Sequence, residues 1–520
     1  MTSMSVFERI VAYADPEKGL SATKIPQHIQ KINAWQTISM LAAILHAKKS
    51  PYFKKVKRPR ADAVSRAQYL ATLAMFYDFD DFMFAGHTGH SSVVLPLVLA
   101  ADFDISGREF LCLQSLGNEA GARLGASLFF GPHNGQMWSS IHQFNAGLIA
   151  GRLLARHSAD PAATLRSTLS RAMAFPVYAL FDSFFSSSAK IFTASSSLAA
   201  GLSAALAADG VDGPDLFRDA SDFYATFSYA PLMQVWGDLG ERWYSQSISV
   251  KKYPGCAYIG GPVEACREIY GAMQRAQLSA SDIISVSVEC NMLSKKMNDL
   301  SQPYLRGADS SLTTLNFSLP VNCAAMLSDG NITPETFSAD QLRRDELWRL
   351  ADKVEVEHDL EATRIMMKYT SLLKDSTTIM LKNLHRLGPY VKRMGGFSDA
   401  FGLPLEAGIN LFKKSRYPVE NLFTPEDDFS RFRFINPATV TVKFRSGQKF
   451  TASSLNPPGF AGTPEAEMTA TVREKLATSG AAAATVQKII DFAEAAADLS
   501  SDQVRTFSTW FMGQAAETEK

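Results

Sequence analysis

The chain is dominated by apolar positions at helical spacing. In Lys24 to His46, Ile32, Trp35, Ile38, Leu41, Ala42 and Leu45 fall on one side of a 3.6-residue period, predicting a helix. Ala61 to Phe76 repeats the pattern with Ala63, Ala67, Leu70, Leu73 and Ala74, and Val93 to Ala101 is apolar with Pro96 in its first turn, where proline is tolerated. Further helices are predicted over Arg108 to Phe130, Met137 to Arg156, Ile191 to Ala208 and Val263 to Gln277. The period then changes. Ile284, Val286 and Val288 alternate within Ile283 to Cys290, Lys353 to Glu357 alternates likewise, and Thr439 to Phe444 with Lys449 to Ser453 flank Arg445-Ser446-Gly447 as a β-hairpin. Helical spacing holds for Phe317 to Leu327 and returns after Asn456-Pro457-Pro458-Gly459, in Glu465 to Ala477 and Thr485 to Ala497.

This order predicts a mainly α protein with an inserted α+β domain. A large helical domain, 1–277, is completed by 456–520 and interrupted by a smaller α+β domain, 278–455. A chain of 520 residues is more than one core usually serves, which agrees with two domains.

Charge narrows the class. Fifty-two basic and 52 acidic residues balance to a net charge of +0, without the basic excess that a nucleic-acid or membrane surface would require. Five cysteines, Cys112, Cys256, Cys266, Cys290 and Cys323, show neither disulfide nor zinc spacing. Met1 to Tyr13 lacks a signal-peptide core, and no apolar run reaches the roughly 18 residues of a membrane span. The expectation is a cytoplasmic protein that meets neither nucleic acid nor membrane.

Candidate chemistry concentrates between the second and third of these helices. Tyr77 to Ser92 carries Asp78, Asp80, Asp81, His87 and His90, and Ser91 or Ser92 could cap the helix that follows, making an anion site beside the imidazoles. The same acids could simply end a helix in water. A metal reading is disfavoured, because His-x-x-His lacks the i, i+4 spacing that puts two ligands on one helical face. Lys190 is the only charged residue between Asp182 and Asp209, so its amine either stays hydrated at a helix end or enters a cleft as an anion binder.

Four stretches, taken together, resemble the MmgE/PrpD family, which includes 2-methylcitrate dehydratase, cis-aconitate decarboxylase and iminodisuccinate epimerase. They are Asp78-Phe79-Asp80-Asp81 followed by His90, the Gly117 to Arg123 helix followed by Gly131-Pro132-His133, Ala189-Lys190 leading into an Ala-rich helix, and Val250 to Cys256. Asn316 to Pro320, Asp329-Gly330 and Pro457-Pro458-Gly459 agree.

The resemblance implies a helical domain with an α+β lid, a cleft between them, a homodimer, and no metal or organic cofactor. It implies His90 and His133 as acid and base, His87 as the competing choice, and Asp78 as the orienting carboxylate, with Asp80 of less importance. Lys190 and Lys251 would bind substrate carboxylates, with Asp81 and Cys256 lining the site. The expected reaction is dehydration of a small hydroxy-carboxylic acid; an epimerase or decarboxylase of a related acid, or a non-catalytic acid-binding protein, are the alternatives.

Polar family residues are absent at four places: Phe82 replaces Thr, Thr193 and Gly260 each replace His, and Val321 replaces Tyr. A tricarboxylate needs one cationic or hydrogen-bonding group for each carboxylate. The substitutions therefore predict a less charged, more apolar substrate than cis-aconitate or 2-methylcitrate.

Overall fold

The computed structural model describes residues 4–83, 85–130, 138–207, 210–218, 221–366, 375–386, 388, 417 and 432–516. His133 lies outside them.

The predicted helices form close to their expected bounds, as Gln27–His46, Ala63–Ala74, Gly107–Ser127, Trp138–Ala155, Thr193–Leu206 and Gly260–Arg275. Their starts follow local chemistry. The Asp62 carboxylate accepts from the Ser65 N–H at 2.8 Å, and Ser106 Oγ accepts from the Glu109 N–H at 3.3 Å, satisfying donors that the first turn leaves open. Val6–Ala14, Pro161–Met173 and Ser501–Ala516 are further helices. Trp138–Ala155 packs between Pro161–Met173 and Thr193–Leu206, while Glu465–Ala477 and Ala483–Glu494 return to pack on Gln27–His46.

Strands β1 (Asp81–Phe82) and β2 (Ser249–Val250) make a two-residue antiparallel ladder within the helical part. A second, mixed sheet has the order β4-β3-β5-β6, from β3 (Ile283–Cys290), β4 (Val354–His358), β5 (Ala438–Phe444) and β6 (Lys449–Ser454). β3 and β4 are parallel, Val286 opposite Val354, whereas β5 is antiparallel to both β3 and β6. Gly260–Arg275 packs on β5 and β6 and on the helix Leu319–Asp329.

Two large apolar clusters fill the interior, and the acidic stretch crosses between them. Tyr77 and Phe79 belong to the first, Phe82, Met83 and Ala85 to the second. The aromatic residues of this stretch thus anchor in the two clusters, and the carboxylates between them are left to find polar partners.

Candidate active site

Asp78, Asp80 and Asp81 are buried, so the expectation that they might end a helix in water is not met. Ser91 and Ser92 do not act as helix caps either. They lie inside the short turn Gly89–Ser92, whose N-cap position is Thr88 and has no side-chain cap.

The β1–β2 ladder sets the first contact. Asp81 stands opposite Val250, so one step along the antiparallel pair places Lys251 beside Asp80. Lys251 Nζ donates to Asp80 Oδ1 at 2.7 Å, to Asp78 Oδ1 at 2.9 Å and to the Asp78 carbonyl at 2.7 Å. Asp78 has φ +51°, the left-handed region that aspartate tolerates better than most residues, and this turns its carbonyl and its carboxylate towards the same amine.

Lys190 completes the ionic cluster from the turn Ser188–Phe192. It is buried, its Nζ is 2.5 Å from Asp78 Oδ2, and it lies 4.8 and 4.2 Å from the ring centres of Phe184 and Phe317. Of the two roles open to this residue in the sequence, the hydrated helix end is therefore excluded.

On the far side of the cluster, Asp80 Oδ2 meets both imidazoles. His87 Nδ1 is 2.7 Å away and His90 Nε2 3.0 Å, while His90 Nδ1 faces the Ala71 carbonyl at 3.2 Å. Both nitrogens of the fully buried His90 thus face oxygen acceptors, whereas the His87 side chain is 20% exposed.

The electrostatics follow these contacts. Burial alone would raise the Asp80 carboxyl, but Lys251 and then His87 outweigh it and hold the group well below the usual carboxylate range. Asp78 is also held low, because Lys190 and Lys251 overcome its burial. Burial pulls the Lys251 amine towards neutrality, yet Asp78 and Asp80 raise it on balance.

Asp81 is turned elsewhere. Gln36 Nε2 donates to its Oδ2 at 2.7 Å and the Gly89 N–H to its Oδ1 at 3.1 Å, in a buried amide network with Asn118 and Thr88. Burial and the neighbouring Asp80 charge push its carboxyl up. A Cβ on Gly89 would stand 2.2 Å from Asp81 Oδ1, so glycine permits this approach. Cys256 is buried close enough to Asp78, Lys190 and Lys251 to feel their charges, and burial pushes its thiol up to about 12.

Asp80, expected to be of less importance than Asp78, holds one lysine and two imidazoles, and two nearby residues, His142 and Lys475, are not among the candidates read from the sequence. His142, in the helix Trp138–Ala155, packs edge-on to His90 with ring centres 5.5 Å apart, and its Nδ1 lies 3.1 Å from Ser91 Oγ. Burial, with the charge of His90, holds its pKa well below the ordinary histidine value. Its signal was a histidine among the polar residues Gln143 and Asn145 in a helix that is otherwise mostly apolar or small.

Two of the four replaced family positions, Phe82 and Gly260, meet at an aromatic cluster. Phe82 meets Phe434 and Phe460 edge-on, both at 4.8 Å between ring centres. A Cβ on Gly260 would lie 2.9 Å from Phe460 Cζ, so the ring stands where a side chain at 260 would begin. Val321 is buried in the first apolar cluster.

The fold and this cluster define a mainly helical protein with a small mixed sheet and a buried lysine, aspartate and histidine constellation. Residues 253–394 match the MmgE/PrpD C-terminal domain. The chain carries that domain, and the match supports its membership of the MmgE/PrpD family. No curated protein matches the chain. Among the described residues no helix is long and apolar enough to cross a membrane, and no group of three or more His, Cys, Asp or Glu is placed to hold a metal ion.

Proposed function

We propose that the chain is a cofactor-independent carbon–oxygen lyase, a dehydratase of a small hydroxy-carboxylic acid. The family match supports a dehydratase-type enzyme. The observation that carries the finer reading is Asp80, bonded at one oxygen to Lys251 and at the other to His87 and His90. Removing a proton next to a carboxylate builds charge on a group already negative, and a buried site with fixed cations lowers the cost of that step.

In this mechanism His87 is the proton acceptor of the two imidazoles on Asp80, since its side chain is 20% exposed and open to a substrate whereas His90 is fully buried. His87 takes the proton α to the held carboxylate, the electron pair forms the C=C bond to the β-carbon, and the β-hydroxyl leaves as water with a proton from a second group. His133, which the resemblance implies as acid or base, remains a candidate for that group. Asp80 orients His87 and stabilises the imidazolium. Lys190 and Lys251 hold the substrate carboxylate, with Asp78 as their resting counter-ion and Cys256 beside them; Asp81 supports the loop from behind.

The aromatic surroundings of Lys190, and Phe460 beside Gly260, favour a substrate with fewer carboxylates and more apolar surface than cis-aconitate. Epimerisation or decarboxylation would use the same first contacts. We further propose the division into a helical part and an α+β lid, with the boundary drawn ahead of Gly260–Arg275 because that helix packs on β5 and β6, and a homodimer in the cytoplasm. The five free, buried cysteines agree with a reducing compartment.

The test is formation of the conjugated unsaturated acid, followed by its absorbance, from a panel of mono- and dicarboxylates that carry a hydroxyl β to a carboxylate and side chains of increasing size. The reading expects turnover of monocarboxylates or dicarboxylates with apolar side chains over citrate and 2-methylcitrate. A preference for the tricarboxylates would overturn the substrate assignment.

A further inference from the structure

Lys475 lies in the helix Glu465–Ala477 and is only 3% exposed. Its Nζ crosses to the acidic stretch and to Gln27–His46, donating to the Phe79 carbonyl and, at 2.8 Å, to Ser39 Oγ. It stands 4.0 Å from the centre of the Phe79 ring, and among the described residues no carboxylate is within ion-pair distance of it. His46 approaches the same ring at 5.3 Å between centres, and its Nε2 lies 2.9 Å from the Lys475 carbonyl.

Phe79 is the residue between Asp78 and Asp80. Its carbonyl belongs to the planar peptide that carries the Asp80 N–H, so fixing that oxygen fixes the plane from which Asp80 projects. The left-handed Asp78 just before it is a conformation that the surroundings must maintain. We propose that Lys475 is a positioning residue: by holding the Phe79 peptide from behind, it aims the Asp80 carboxylate at Lys251, His87 and His90. This assignment rests on the proton-transfer reading of that cluster.

The groups around the amine make its action dependent on pH. Asp80 and Asp81 on the acidic stretch favour its charge, Lys251 from the β2 side opposes it, and His46 faces it from Gln27–His46. Burial is the largest influence and brings the amine down to about 7. A cavity of about 20 Å³ adjoins it, lined by Phe79, Lys252, Thr333, Glu474, Lys475 and Thr478, among others. This adds Glu474 and Lys252 to the charged residues nearby.

The experiment compares wild type with Lys475→Met and Lys475→Ala. Imidazole 15N NMR of His87 and His90 reports on Asp80 without any substrate, and solvent-deuterium exchange into an acid that wild type accepts reports on turnover. The positioning role expects altered 15N shifts for both imidazoles in Lys475→Met. It also expects at least about a tenfold loss of kcat with KM changed less than about threefold, because a small misplacement of reacting groups costs rate more than binding. Methylamine, filling the space left in Lys475→Ala, should restore part of that rate.

Unchanged imidazole shifts in the folded variants overturn the proposal, whatever happens to rate. If wild type exchanges no acid, the proton-transfer reading fails by itself and the imidazole shifts still decide whether Lys475 positions Asp80. If Lys475→Met does not fold, Ser39→Ala, which removes one acceptor from the amine, is judged by the same shifts.

Discussion

Lys251→Met perturbs the cluster at its centre. The amine makes three contacts, with Asp80 Oδ1 at 2.7 Å, Asp78 Oδ1 at 2.9 Å and the Asp78 carbonyl at 2.7 Å, and all three residues are buried. Methionine keeps the volume and removes the charge, leaving two interior carboxylates short of a counter-ion. Breaking a buried ion pair by removing one partner costs about 3–5 kcal/mol. Set against a domain stability of about 5–15 kcal/mol, that is a large fraction.

The pH dependence has a definite sign. Asp78 and Asp80 are held below their ordinary value in the folded state, so their stabilisation is present above that value and is lost as pH falls through the folded pKa. The deficit of Lys251→Met should be full near neutral pH and should shrink towards pH 4, where the unpaired carboxyls take up protons. Urea denaturation followed by circular dichroism at several pH values measures it, and adding Asp80→Asn to the variant should recover part of the loss. A deficit under about 1 kcal/mol at neutral pH, a figure typical of an exposed pair, or one that grows as pH is lowered, would refute the account of a buried cluster.

Further outcomes follow from the same geometry. Asp80→Asn should lower turnover by at least about a hundredfold and exceed the effect of Asp81→Asn, measured as kcat on whichever acid is accepted; equal effects would mean that the Asp80 contacts are structural. His87→Ala should cost about a hundredfold or more in kcat, and a loss below about threefold would remove His87 from proton transfer. Gly89→Ala should lower the thermal midpoint, because its Cβ would stand 2.2 Å from Asp81 Oδ1. The Lys475 amine sits at about 7 when folded against an ordinary 10.5, so the unfolded chain binds more protons between those values and stability should rise with pH across that window. Lys475→Met should flatten this rise, which urea midpoints at pH 7 and pH 9 would show.

Periodicity made most of the fold legible. Glu465–Ala477 and Ile283–Cys290 form at their expected bounds, and the hairpin at 438–454 pairs as expected, because long apolar faces and a Gly-containing turn leave few alternatives. Ser501–Ala516 was not foreseen; its buried side holds Val504, Phe507 and Phe511 between polar residues. The parallel pairing of β3 with β4 joins residues far apart in sequence, which local pattern cannot reveal.

At the site, residue types clustered within Tyr77 to Ser92 were visible, as were both lysines. The partners of Asp80 were not, since they come from the β1–β2 register and from the left-handed turn at Asp78. Lys475 lay beyond local reasoning altogether: it is nearly 400 residues from the Phe79 carbonyl that it holds. A lysine inside an amphipathic helix reads as solvated until its neighbours are known.

The most direct test of the central claim, that the Asp80 cluster moves a proton next to a carboxylate, is proton NMR of the protein in D2O with hydroxy acids of graded charge, run beside Asp80→Asn. The account predicts deuterium appearing next to a carboxylate with wild type and a loss of at least about a hundredfold with the variant. Exchange that persists undiminished in Asp80→Asn, or wild type that binds these acids without exchanging any proton, would contradict it.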